Sequence, residues 1–164
     1  MKWKRHGALV AVVAAAALLV PAAQAGTVII NPFFGCAGGT RYVPAGSDIT
    51  LRQGWAARNR GLTHAFEVAE TTTLTIDGVA RADADDDVYR TLVARPDGSW
   101  VSSWIYPTGI TLAAGESFTF VYDSLVSHRL HDGVTKADDH DQSPFFWNPG
   151  SIFGGPITCT VIAF

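Results

Sequence analysis

The 164 residues include twelve Lys and Arg against fifteen Asp and Glu, a formal net charge of -3, with 48% hydrophobic and 16% charged residues. That balance suits one ordinary globular domain and excludes a disordered polyampholyte, a collagen and a multidomain enzyme. It leaves no basic excess to neutralise phosphates, which argues against a nucleic-acid partner.

In chain order, the first element is an export signal. A cationic stretch, Lys2 to His6, precedes Ala8 to Val20, which contains only Ala, Val and Leu. Such a span underfills a bilayer core of roughly 30 Å, which needs about 20 helical residues. Ala23-Gln24-Ala25 is the small-x-small pattern that a signal peptidase accepts, so residues 1–25 read as a signal peptide and residues 26–164 as one secreted domain with no transmembrane anchor. Gly26 at the new terminus excludes a lipoprotein, which needs cysteine there, and a copper monooxygenase, which needs histidine. Removing Lys2, Lys4 and Arg5 leaves nine basic residues against fifteen acidic ones, so the exported chain is acidic.

Short β-branched and aromatic segments then recur between Gly, Pro, Asn and Asp, the pattern of an all-β antiparallel sandwich. Thr27–Asn31 and Thr40–Val43 come first. Asp48–Trp55 follows a Pro44-Ala45-Gly46 turn, with Ile49 and Leu51 on one face. Leu62, Phe66 and Ala69 have helical spacing and predict one short connecting helix. Leu74 and Ile76 alternate with threonines, and Asp77-Gly78 ends that strand in a hairpin turn. Val88–Arg95 and Ser99–Tyr106 form a second hairpin around Pro96-Asp97-Gly98. Phe118, Phe120 and Tyr122 alternate with Thr119, Val121 and Asp123. Ile157–Phe164 is the final strand, and 132–155 is the one long irregular stretch.

Cys36 and Cys159 are the only cysteines, and in an exported chain such a pair is expected to be a disulfide. Acidic residues concentrate in two loops. Asp83, Asp85 and Asp87 in one, with Asp138, Asp139 and Asp141 in the other, are candidate ligands for calcium, a hard cation that takes about six to eight oxygens. An EF-hand is excluded, because counting from Asp83 puts Val88 where glycine is required and Ala94 where glutamate is required. The alternative is that both loops are solvated turns. His128, His131 and His140 fall near the second group, but an odd separation on an extended strand turns His128 and His131 to opposite faces. His64 stands alone on the expected helix.

Trp100, Trp104 and Tyr106 share one face of a predicted strand, and Trp147 lies in the long loop; together they are candidate ligand-binding residues, a platform on which sugar rings could stack. The competing reading places them in the core, where aromatics fill space. Nucleophilic catalysis has no motif in its favour: there is no Gly-x-Ser-x-Gly and no His-Glu-x-x-His.

Between Val43 and Gly133 the order of pieces is similar to bacterial secreted immunoglobulin-like sandwiches: Pro44-Ala45-Gly46 before the strand with Trp55, the Gly61 to Glu70 helix, then Ala113-Ala114-Gly115-Glu116 before an aromatic strand. The resemblance implies architecture and extracellular binding. The disulfide of immunoglobulin domains joins internal strands, whereas Cys36 and Cys159 lie near opposite ends, so that pairing does not carry over. The expectation is a secreted, non-catalytic binding module for an extracellular protein or glycan. The alternatives are a carbohydrate-binding module with structural calcium and a small secreted hydrolase.

Overall fold

Where a strand must bury one face, period-two alternation becomes alternating burial. In the computed structural model, which describes residues 26–36, 39–133 and 146–164, that rule yields two mixed sheets packed as a sandwich. The expected signal peptide lies outside the described residues. In chain order the strands are β1 Thr27–Ile30, β2 Thr40–Val43, β3 Asp48–Ala57, β4 Glu70–Ile76, β5 Val79–Ala80 and β6 Arg90–Ala94. They continue as β7 Trp100–Thr111, β8 Ser117–Val126, β9 Leu130–His131, β10 Phe146–Trp147, β11 Gly150–Ser151 and β12 Ile157–Ala163. Among the described residues a single α-helix, α1 (Arg60–Ala69), joins β3 to β4.

One sheet has the order β1-β3-β7-β6, the other β2-β12-β8-β4-β5 with β11 also on β8, and β9 pairs β10 as a separate ribbon. The internal pairings are antiparallel, as expected. The two N-terminal strands depart from this: β1 runs parallel to β3 and β2 parallel to β12. The chain passes from one sheet to the other between β1 and β2 and back again into β3, so neither parallel pair is closed by a hairpin.

The clearest alternation in the sequence gives the clearest burial, because Phe118, Phe120 and Tyr122 on β8 all face the core with Leu51, Ile76 and Val161. Burying each such side chain contributes about 1.5–3 kcal/mol. Cys36, in the loop after β1, is bonded to Cys159 on β12, with Cα atoms 5.6 Å apart and both residues buried. The bond ties a loop leaving one sheet to a strand of the other. Asp77 and Gly78 both have positive φ, 50° and 76°, the backbone of a two-residue hairpin turn between β4 and β5.

The helix is where the periodicity placed it. Asn59 caps it, its side chain accepting from the Leu62 N–H at 3.0 Å. Its buried stripe of Thr63, Phe66 and Ala69 covers one end of the sandwich. There Phe66 stacks on Trp55 with ring centroids 4.5 Å apart, and Val126, Leu130 and Ile152 complete a second apolar cluster. Among the described residues no helix is long and apolar enough to cross a membrane.

Candidate functional site

The first acidic run is not a free loop. Residues Ala82–Asp85 form one 3-10 turn and Asp87–Tyr89 another, so β6 begins at Arg90 rather than at Val88. Ala84 is fully buried, and its carbonyl accepts from Trp104 Nε1 at 2.7 Å. Asp83 accepts from the hydroxyls of Tyr89 at 3.0 Å and Tyr106 at 3.1 Å. Burial, then the hydrogen bond to Asp83, pushes the Tyr106 phenol up to about 12. The Tyr89 phenol is raised as well, first by its hydrogen bond to Asp83.

Asp85 turns to a different set of partners. Its Oδ1 accepts from the Thr72 N–H at 2.7 Å and from Arg90 Nη2 at 2.8 Å. Arg90 also donates to Glu70 Oε2 at 2.5 Å and to Thr72 Oγ1 at 3.1 Å, and Ser124 donates to the other oxygen of Glu70. Both Glu70 and Arg90 have buried side chains. Burial alone pulls the Arg90 pKa down, but Glu70 and Asp85 outweigh it and hold the guanidinium above its ordinary value. Taking two charges out of water costs several kcal/mol each unless every polar atom finds a partner, and here the hydroxyls of Thr72 and Ser124 add to the pairing.

Above this pair lies an open cleft of about 400 Å³, lined by Arg60, His64, Glu67 and Val68 on α1, by Asp87 and by Arg90 and Leu92 on β6. That size falls at the lower end of small-ligand sites, about 300–1,000 Å³. Positions 60, 64, 67 and 68 recur at i, i+4, i+7 and i+8, which puts them on one helix face. The cleft has a direction. Arg60 sits over the Trp100 ring, 5.8 Å from its centroid, and Trp100 pairs with Ala94 at the far end of β6. Arg90 is bonded to Glu70, just past the other end of the helix. Strand β6 therefore runs antiparallel to α1, with Arg60 at one end of the cleft and Asp87 at the other. His64 Nδ1 lies 3.4 Å from Glu67 Oε2, and Ser102 donates to Glu67 Oε1 at 3.0 Å.

A second, smaller groove of about 250 Å³ crosses the outer face of the first sheet, where Gly54 and Ala56 withdraw side-chain bulk between Arg52 and Arg95.

The residues proposed from sequence are distributed as follows. Trp104 and Tyr106 are buried and stacked on one another, with centroids 5.7 Å apart. Trp100 is half-buried beneath Arg60, and Trp147 is half-buried against the second apolar cluster. Asp83 and Asp85 serve different protein partners, and Asp87 lines the cleft. Asp138, Asp139, Asp141 and His140 lie outside the described residues. Among the described residues, no three His, Cys, Asp or Glu side chains are grouped so as to hold a metal ion. Sequence reading missed Arg60, Glu67 and Arg90 altogether and set His64 aside. The available signal was the helical spacing of residues 60, 64, 67 and 68, all of them polar or exposed. Compared with known proteins, the chain matches no family model, no curated sequence and no solved structure.

Proposed function

We propose that this is an extracellular, immunoglobulin-like binding module without catalytic machinery, and that the α1–β6 cleft is its ligand site. One observation carries the reading: the cleft has opposite charges without ion-pair partners at its two ends, over a floor whose guanidinium is already paired with two carboxylates. Among the described residues Arg60 has no carboxylate partner, and although the Asp87 carbonyl accepts from the Arg90 N–H, its carboxylate accepts no hydrogen bond. Binding groups are commonly carried on exposed turns and helix faces held by a rigid scaffold, and α1 is anchored by the Phe66–Trp55 stack. The layout of two packed sheets and the disulfide between them support an extracellular sandwich. The non-catalytic part rests on Ser102, the hydroxyl that reaches the His64–Glu67 pair, giving its proton to Glu67 rather than to His64.

The test is retention of the 26–164 chain on an array of defined peptides and glycans. Binding is expected, and the charge-reversed double variant Arg60→Glu/Asp87→Lys is expected to lose it. Equal retention of both proteins would discard the cleft as the site. In a separate expression of residues 1–164 with export, the intact mass of the released chain is expected to match one that begins at Gly26.

A further inference from the structure

We propose that the α1–β6 cleft recognises a short zwitterionic peptide, about three residues long with both termini free. This rests on the binding-module reading and narrows it to a ligand class.

Arg60 and Glu67, both in the α1 wall of the cleft, are seven residues apart, and at 1.5 Å per residue that wall is about 10 Å long. A fully extended chain advances at most about 3.3–3.6 Å per residue, so about three residues match that distance and a single amino acid does not. Charge order comes next. The Arg60 guanidinium is a planar fork suited to a carboxylate, and its stacking over Trp100 orients it without using its N–H donors on a carboxylate of the protein. Asp87, on an exposed turn at the opposite end, is the carboxylate free to accept from an ammonium group.

The middle of the cleft excludes the simpler ligands. Arg90 is already bonded to Glu70, Asp85 and Thr72 and offers little net charge to a polyanion. Glu67 holds Ser102 and faces His64, which adds negative character where a purely anionic chain would have to pass. Val68 and Leu92 supply apolar surface for small side chains between the charged ends. A polyanion meets the carboxylates of Glu67 and Asp87, and a polycation meets the free guanidinium of Arg60; a ligand with one charge of each sign, separated by a short apolar stretch, matches both ends.

Titration calorimetry with trialanine as the probe tests this, alongside N-acetyl-trialanine, trialanine amide and free alanine. Trialanine is expected to bind best, with either cap weakening it about tenfold, the cost of one charge-assisted hydrogen bond. The variants Asp87→Asn and Arg60→Ala pair with the caps: acetylation should cost about tenfold in the wild type and nothing further in Asp87→Asn, and amidation should behave likewise in Arg60→Ala. If trialanine binds no better than its capped forms, or the penalties persist unchanged in the variants, the proposal is overturned. If a capped peptide binds as tightly as trialanine and Arg60→Ala removes that binding, the zwitterion falls while the binding-module reading stands. If no probe on the defined array binds either, both fall.

Discussion

Arg90 and Arg60 line the same cleft and differ in every other respect. Arg90 is buried, bonded to two carboxylates and a hydroxyl, and surrounded by strands of both sheets. Arg60 is exposed, rests on an indole ring and has no carboxylate partner among the described residues. The same residue type is a structural rivet in one position and a free recognition group 30 residues earlier. What separates them is saturation: a charge whose donors are already spent on the protein has little left for a ligand, and removing it exposes a buried partner. The carboxylates divide in the same way, Glu70 and Asp85 being committed to the fold and Asp87 to the cleft.

That comparison makes graded predictions. The largest effect is expected from Arg90→Ala, which leaves Glu70 buried and unpaired; loss of one partner of a buried pair costs about 3–5 kcal/mol, read as a lower denaturant midpoint. Replacing the pair together, as Arg90→Met with Glu70→Leu, should recover most of that loss. A double variant as unstable as the single one would show that the Glu70–Arg90 pair is not the cause. Next is Asp83→Ala, which strips the acceptor from the partly buried Tyr106 hydroxyl and should cost about 1 kcal/mol, the net worth of one such hydrogen bond.

An alkaline effect follows from Tyr106. Its folded pKa of about 12 lies above the unfolded value of about 10. The stability this contributes is therefore complete below pH 10 and lost as pH rises towards 12. Urea midpoints at pH 9 and pH 12 should differ, and Tyr106→Phe should narrow the difference without abolishing it, because burial raises the Tyr122 phenol too. The smallest effect on stability belongs to Arg60→Ala and Asp87→Asn, expected to stay within about 0.5 kcal/mol of wild type, as surface substitutions do. A melting curve that drops as far for Arg60→Ala as for Arg90→Ala would erase the distinction between the two arginines.

Much of the fold was legible because burial imposes a period. Phe118, Phe120 and Tyr122 announced β8, Leu62, Phe66 and Ala69 announced α1, and Asp77-Gly78 announced its turn, each from neighbours within a few positions. The misreadings have physical causes as well. Strand β7 was expected to stop at Tyr106, ahead of Pro107, yet it continues to Thr111. Proline is tolerated there because β6 pairs only as far as Trp104, leaving β3 as the one neighbour of β7 at that level. Val88 was assigned to a strand, but Tyr89 is drawn to Asp83 and the backbone before Arg90 curls into a 3-10 turn. Strand β4 starts directly at Glu70, with no loop after the helix, since Glu70 must enter the interior to reach Arg90 and Ser124.

The sequence by itself determined the class of the molecule: the strands, the connecting helix and the pairing of its only two cysteines, because alternation, helical spacing and cysteine count are local or composition-level properties. Tertiary structure alone decided which charges are fasteners and which are free. Asp83 meets Tyr106 across 23 positions and Glu70 meets Arg90 across 20, and nothing in a run of aspartates specifies partners at such distances. Whether a carboxylate faces solvent, a ligand or a buried guanidinium depends on which strands stand beside it, and that is fixed only when the two sheets close.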